Sequence, residues 1–356
     1  MSETRSLCRH FGTCGGCLTQ DMAPDAYRAQ KRQGVITALA HNGIDEAQVA
    51  DIVSVPPHSR RRAVFKSAKS RGETRLGFHA RQTHDIVDMQ ECRLLTPKLL
   101  AAVPRLRALM AALLRDSEEA ELHVTDTDTG LDMALDWPRR AKPALVSELA
   151  DWARELKAVR IMVGDDVAVE LGRPMVTFGR AHVPLPPRAF LQPTREGEAA
   201  LQRLVADALP KAKQIVDLFS GCGTFALPLA GAMRVHAVEL DARMLAALSE
   251  AARHTQGLKP VTTEQRDLFK VPLSAPELKR FDAVLLDPPR VGAHAQVREL
   301  AASGVKRIAY VSCNAQSFAR DARVLIAAGF HMGSVTPVDQ FLWSSHIELV
   351  AAFVRR

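Results

Sequence analysis

Apolar positions change their rhythm near residue 185. Over residues 97–115, Leu99, Leu100, Val103, Leu106, Met110 and Leu113 recur at the spacing of one helix face. Strand-like runs follow at 121–125 and 131–136, then a helical stretch at 144–157 and short strands at 159–163 and 167–170. Upstream, residues 31–41 predict a helix, residues 52–92 are basic and β-like, and the Cys- and Gly-rich residues 1–30 predict loop. Pro184-Leu-Pro-Pro187 marks a boundary, because proline continues neither a helix nor a central strand. Beyond it, helices predicted at 196–208, 224–231, 242–254, 294–302 and 316–328 alternate with strands at 214–219, 235–239, 261–265, 282–286, 307–312 and 347–353. That alternation predicts an α/β fold with a parallel, doubly wound sheet over residues 188–356, behind an α+β domain over residues 1–187.

Ligands of such sheets bind beyond the carboxyl ends of the strands. Val216-Asp-Leu-Phe219 runs into Ser220-Gly-Cys-Gly223, and Val235–Val238 into Glu239. Ala283–Leu286 runs into Asp287-Pro-Pro-Arg290, and Ile308–Val311 into Ser312-Cys313-Asn314. Four polar groups are thereby expected on one edge of one sheet. Gly221-x-Gly223 permits a tight turn against a ligand, and Glu239 is placed to accept ribose hydroxyls. A dinucleotide site shares that logic. Cys313 precedes the predicted helix 316–328, whose N-terminus favours a thiolate, so it is a candidate nucleophile. Glu348 shares a strand face with His346 and enters an apolar run, where a carboxylate needs a partner or a task. Cys222, inside the Gly-rich turn, is assigned no chemistry.

Composition narrows the setting. Apolar residues make up 47% of the 356, enough for substantial cores without disulfides. No apolar run is long enough for a membrane helix, and Met1–Cys8 lacks the apolar core of a secretory signal, so a cytoplasmic protein is expected. Aromatic residues, at 5%, are too few for an open stacking platform for single strands. The net charge of +7 permits an anionic partner. Cys8-x5-Cys14-Gly-Gly-Cys17, with Cys92 downstream, predicts a metal or cluster site; its spacing leaves zinc and iron–sulfur both open. Between those cysteines, residues 60–81 carry Arg60, Arg61, Arg62, Lys66, Lys69, Arg71, Arg75 and Arg81 against the single acid Glu73, a density suited to phosphate contacts.

Together these residues resemble the family of RNA (uracil-5-)-methyltransferases, which make 5-methyluridine, over nearly the whole chain. The matching pieces are the four cysteines, Phe190-x-Gln192, Asp217-Leu-Phe-Ser-Gly-Cys-Gly-Thr-Phe225, Asp287-Pro-Pro-Arg290, Ser312-Cys-Asn314, Ala319-Arg-Asp321 and His346-x-Glu348. The cysteine set is similar to that of the iron–sulfur branch acting on 23S ribosomal RNA. The resemblance implies a Rossmann-like class I S-adenosylmethionine methyltransferase domain and a [4Fe–4S] cluster on Cys8, Cys14, Cys17 and Cys92. It implies cofactor contacts from Gln192, Phe219, Thr224, Glu239, Asp267 and Asp287, beside the Gly221 turn. It makes Cys313 the nucleophile toward uracil C6 and Glu348 the base for the C5 proton. The implied partner is RNA, foremost 23S ribosomal RNA, with no membrane and no obligate protein partner. The sequence departs from the family pattern at Thr194 and Thr224, where Asn is common, and at Phe341-Leu-Trp-Ser-Ser-His346, where Phe-Pro-x-Thr-x-His is usual. No room is expected before Cys8 for the oligonucleotide-binding-like TRAM domain of some relatives, which leaves RNA grip to residues 60–81 and the central domain. Transfer RNA as substrate, base-amine methylation, a nicotinamide oxidoreductase and a non-enzymatic RNA-binding module remain the alternatives.

Overall fold

A computed structural model describes residues 7–139 and 142–355. The chain enters through helix α1 (Pro24–Ala40) and the short strand β1 (Val53–Ser54). Strands β2 (Arg62–Ser70), β3 (Glu73–His79) and β4 (Ile86–Asp88) precede helix α2 (Pro97–Leu113). Strands β5 (Glu119–Asp126) and β6 (Leu131–Asp136), helix α3 (Pro143–Leu156), and strands β7 (Ala158–Val163) and β8 (Asp166–Glu170) follow. These strands form one sheet in the order β4-β3-β2-β5-β6-β7-β8. Helices α2 and α3 pack on it and on each other. Phe65, Leu99, Leu106, Leu122 and Met133 are among the residues of its core.

A hairpin of β9 (Met175–Phe178) and β10 (Ala181–Pro184) leads to helix α4 (Arg195–Ala208). Then come β11 (Gln214–Leu218), the short helix α5 (Ala226–Leu229), β12 (Arg234–Glu239), α6 (Ala242–His254), β13 (Val261–Gln265) and α7 (Ala275–Leu278). The chain continues through β14 (Ala283–Leu286), α8 (His294–Ala302), β15 (Arg307–Ser312) and α9 (Ala315–Ala327). It closes with β16 (His331–Met332), β17 (Thr336–Asp339) and β18 (Glu348–Val354). The second sheet has the order β1-β17-β18-β15-β14-β11-β12-β13, with β16 also on β18. Strands β15, β14, β11, β12 and β13 are parallel neighbours. The apolar runs of β15, β14 and β11 are buried on both faces, as parallel strands between helix layers require, while the edge strand β13 is polar and largely exposed. Strand β18 runs antiparallel between β15 and β17.

The structure redraws the N-terminal half in three places. Helix α1 begins at Pro24, inside the segment expected to be loop. Residues 24–30 read as polar because most of that first stretch faces solvent, while Tyr27 and Lys31 point inward. Second, α1 and β1 join the second sheet: Val35 and Leu39 share a core with Val216, Tyr310 and Phe318, and β1 pairs with β17. Third, the β9–β10 hairpin also packs there, with Val176, Phe178 and Val183 in the core of α4 and α6. The expected boundary at 187 therefore separates the sheets only after residues 24–54 and 175–184 are moved across it. The predicted helix 224–231 shrinks to α5, because Phe219, Gly221 and Gly223 all hold positive φ and extend the turn.

The expected phosphate-binding run is partly absorbed into this framework. Arg61 is 1% exposed and pairs with buried Glu198 of α4, while its Nε donates to Gln192 O (3.0 Å). Arg62 Nη1 donates to Leu191 O (2.7 Å), Lys69 Nζ to Ala111 O (2.7 Å) and Arg81 Nη2 to Cys17 O (2.6 Å). Arg71 and Arg75 stay exposed. Arg61 and Arg62 thereby fasten the first sheet to residues 191–192, while Lys69 ties it to α2 and Arg81 to the N-terminal cysteine segment. Removing one partner of a buried pair strands the other charge. Glu198→Ala is therefore expected to destabilise the protein by about 3–5 kcal/mol in urea unfolding, and Arg61→Met/Glu198→Leu to recover most of that loss.

Candidate active site

The chemistry collects where β11, β12, β14 and β15 end. After β11, Phe219 takes φ +66°, Gly221 φ +54° and Gly223 φ +96°, conformations that bend the chain across the sheet edge. A Cβ on Gly223 would lie 2.9 Å from Leu227 Cδ1, so glycine is also needed for packing there. Glu239, ending β12, accepts Gly221 N–H (3.1 Å) at one oxygen and Leu240 N–H (2.7 Å) and Asp241 N–H (3.0 Å) at the other. Its carboxylate is thus fixed beside the turn. Asp217 within β11 is fully buried, and burial lifts its carboxyl well above the usual range, with Asp287 and Glu239 adding to the rise.

Asp287 leaves β14 at the head of a loop pinned from below. Asp321 of α9 accepts Ala293 N–H (2.8 Å) and Tyr310 O–H (2.7 Å). Arg320 Nη2 donates to Val291 O (2.9 Å), and Ser317 Oγ to Arg290 O (3.0 Å). Gly292, at φ +82°, has Asp321 Oδ2 2.6 Å from where a Cβ would sit. Ala319-Arg-Asp321 therefore positions Asp287-Pro-Pro-Arg290. Cys313 lies between β15 and α9, whose N-cap Asn314 accepts Gln316 N–H (2.9 Å). Because β18 is antiparallel to β15 and pairs Leu349 with Ser312, its first residue Glu348 arrives beside Cys313. Glu348 is 4% exposed.

Gln192, Phe219, Gly221, Thr224, Glu239, Asp267, Asp287, Cys313 and Glu348 all line one cavity of about 540 Å³. Every cofactor and catalytic position expected from sequence falls on this wall. Its apolar part includes Phe219, Leu240, Met244 and Phe269, the mixture of apolar wall and few polar groups typical of a small-molecule site. A second cavity of about 540 Å³ opens on the other side of Cys313, between α1 and residues 344–347. Cys313 and Arg290 line both.

Electrostatics corrects one expectation. The N-terminus of α9 does not depress the Cys313 thiol: burial pushes it up to about 11, with the Glu348 and Asp287 charges adding to the rise. Burial also pushes Glu348 up to about 8, assisted by Asp287, and Asp287 up to about 7. Acids of this kind crowded in a low dielectric resist ionisation, and a bound cation reverses that resistance. The residues present therefore suit a positively charged ligand such as a sulfonium. Sequence reasoning passed over Gln340, whose buried Nε2 donates to Gln192 Oε1 (2.7 Å) and whose amide also bonds Glu348. Its position eight residues before Glu348 carries no periodic signal that singles it out.

The four N-terminal cysteines come to one region of the structure. Cys8, Cys14, Cys17 and Cys92 line a single small cavity of about 30 Å³, walled otherwise largely by Phe11, Phe78, Val87, Met89 and Leu94. Gly16 N–H donates to Cys14 Sγ (3.4 Å). Burial raises the Cys14 and Cys92 thiols and pushes Cys17 up to about 12, the neighbouring sulfurs adding to each rise. Cys92 is buried and Cys8, Cys14 and Cys17 are half-buried; four thiols gathered in a largely apolar shell are a donor set that a soft metal would stabilise.

Comparisons with known proteins give the family and the fold. The family profile described as tRNA (Uracil-5-)-methyltransferase matches residues 181–356. A Rhizobium meliloti protein described as an RNA methyltransferase is 45% identical over 350 residues, 97% of this chain and 84% of the relative. A Brucella suis protein of the same description is 44% identical over 355 residues, 98% of this chain and 84% of the relative. The 23S rRNA (uracil(1939)-C(5))-methyltransferase RlmD of Pectobacterium atrosepticum is 29% identical over 365 residues, 98% of this chain and 79% of that protein. In fold, the chain is similar to the Pyrococcus abyssi tRNA (uracil-54, C5)-methyltransferase solved with S-adenosyl-L-homocysteine. The TM-score is 0.77 and the identity 22%, over 99% of this chain and 86% of that one. The α/β sheet and the converging site define an S-adenosylmethionine-dependent methyltransferase. The chain belongs to the RNA (uracil-5-)-methyltransferase family.

The thiol's raised pKa has a direct readout. Alkylation of Cys313 by iodoacetamide, followed by peptide mass mapping, should accelerate with pH toward a midpoint near 11. Glu348→Gln should move that midpoint downward, because it deletes a neighbouring negative charge.

Proposed function

We propose that this protein methylates C5 of a uridine in 23S ribosomal RNA, through a transient bond between Cys313 and uracil C6. The observation carrying the reading is that Cys313 lines two cavities and meets Glu348 in the wall of one of them. One suits S-adenosylmethionine; the other suits a nucleotide withdrawn from its stack. Bound S-adenosylmethionine supplies an electrophilic methyl group. Gln192, Phe219, Gly221, Thr224, Glu239, Asp267 and Asp287 are the residues proposed to hold it.

Uracil C5 alone is a weak nucleophile. The Cys313 thiolate adds to C6, and the displaced π electrons form an enolate at the C4 carbonyl. C5 then takes the methyl group as the sulfonium carbon–sulfur bond breaks. Glu348 removes the C5 proton, the C5–C6 double bond re-forms, and the C6–sulfur bond breaks to release Cys313. The adduct divides one difficult substitution into easier steps. Glu348 suits the base role because a carboxylate with a pKa near 8 is a stronger base than an ordinary one. Cys313 and Glu348 both act unprotonated and both are pushed up by burial, so kcat/KM is expected to rise between pH 6 and pH 9.

The cysteine site is proposed to hold a [4Fe–4S] cluster on Cys8, Cys14, Cys17 and Cys92. The resemblance of these four cysteines to the iron–sulfur branch supports that choice over zinc, and no step above needs electron transfer. The Pectobacterium relative's 23S substrate supports ribosomal over transfer RNA. Among the described residues no helix is long and apolar enough to cross a membrane, and a cytoplasmic site of action goes with the proposed substrate.

Anaerobically purified protein should be incubated with methyl-labelled S-adenosylmethionine and unmodified 23S ribosomal RNA or transfer RNA, and the RNA digested to nucleosides. Label in 5-methyluridine from 23S ribosomal RNA alone, absent with Cys313→Ala, is the expected result. Label in transfer RNA, or in a methylated base amine with Cys313→Ala still active, would overturn the reading.

A further inference from the structure

We propose that Lys31 and Tyr27 of α1, acting with Trp343, are positioning residues that fix the loop 340–347 ahead of Glu348 and tie it to the cysteine site. The proposal rests on the methyltransferase reading of Glu348. The loop joins β17 to β18 without a ladder of its own, so its backbone polar groups need partners from elsewhere. Lys31 supplies several at once. Its ammonium pairs with Asp339 at the end of β17 and donates to Phe341 O (3.1 Å) and His346 O (2.9 Å). A single side chain therefore clamps the loop near both ends. Tyr27, one helical turn earlier, donates its O–H to Asp339 Oδ2 (2.6 Å) and accepts Trp343 N–H (2.8 Å).

Burial makes this clamp specific. The Lys31 side chain is 6% exposed and that of Asp339 is fully buried. Ion pairs so desolvated add little net stability, yet removing one partner is costly. Trp343 holds φ +59°, a conformation that a bulky residue keeps only where its surroundings over-determine it. Those surroundings are Tyr27, Val55 and Leu342, with Cys17, Met22 and Leu94 packed against them. Leu18 N–H also donates to Trp343 O (2.6 Å). Cys17 and Leu94 line the cysteine cavity. A continuous path thus runs from that cavity through Trp343 and the Asp339 clamp to Glu348, whose register partner is Val338, the neighbour of Asp339.

The test uses the full-length protein carrying whatever its cysteines bind. Lys31→Met, Lys31→Arg and Cys17→Ser are compared with wild type by hydrogen exchange, S-adenosylmethionine affinity and steady-state kinetics. Lys31→Met should speed exchange of amides 341–349 by about tenfold or more, with β11 and β12 within about twofold of wild type. Cofactor affinity should stay within about twofold while kcat falls by about a hundredfold; Lys31 also lines the second cavity, so exchange of amides 341–349, and not KM for RNA, is the deciding readout. Lys31→Arg should restore part of both the protection and kcat. Cys17→Ser should speed exchange in the same segment. If Lys31→Met does not fold, Lys31→Met/Asp339→Asn, which removes both charges and keeps an acceptor for Tyr27, carries the same expectations. Unchanged exchange at 341–349, or a uniform rise across the whole second sheet, would overturn the proposal. A failure of the methyltransferase reading shows separately, as wild-type protein that transfers no methyl group while the exchange comparison still reports on the loop.

Discussion

Strand β18 runs against the direction of its parallel neighbours, and the site depends on that reversal. Parallel strands deliver their carboxyl ends to one edge; an antiparallel strand delivers its first residue there instead. Pairing of Leu349 with Ser312 sets Glu348 next to Cys313 across two adjacent strands. A slip of one residue would turn the carboxylate to the other face of the sheet. The buried partners of that register, Val311 with Val350 and Tyr310 with Ala351, make the slip costly. Side-chain placement at the site is thereby inherited from core packing.

The same burial sets the chemistry. A thiol and two carboxyls stand together where water is scarce: burial raises all three, Asp287 adds to the rise of Glu348, and both carboxylates add to that of Cys313. Without a cation the pocket favours the neutral forms. A sulfonium would bring the missing positive charge to the place where a thiolate and a carboxylate base are required. Cofactor binding and activation of Cys313 would then be coupled through ordinary Coulomb attraction, which is strong in such a medium.

Much of this was legible in the chain. The apolar runs before Ser220, Glu239, Asp287 and Ser312 marked the strand ends, and parallel topology did the rest by bringing those ends together. The four cysteines were equally visible as a group, and the fold brings them to one small cavity. What escaped notice depends on contacts distant in sequence. Residues 24–30 look like polar loop until Tyr27 and Lys31 meet Asp339, more than three hundred positions away. Arg61 looks like a phosphate ligand until Glu198 of α4 closes over it. Local periodicity reports whether a position is wet or dry, and a buried charge satisfied from another element violates that rule. The misplaced boundary at 187 has the same origin: α1, β1 and the β9–β10 hairpin pack on a sheet most of whose strands come later in the chain.

The most direct test of the central claim is to catch the bond between Cys313 and the base. Fluorine at uracil C5 cannot leave as a proton, so Glu348 would have nothing to remove and elimination would stop. Protein incubated with S-adenosylmethionine and RNA carrying 5-fluorouridine should form a denaturant-stable complex, and peptide mass mapping should place a methylated fluorouridine on Cys313. A complex on another cysteine, or methyl transfer to ordinary RNA with no trapped complex on the fluorinated one, would contradict the account.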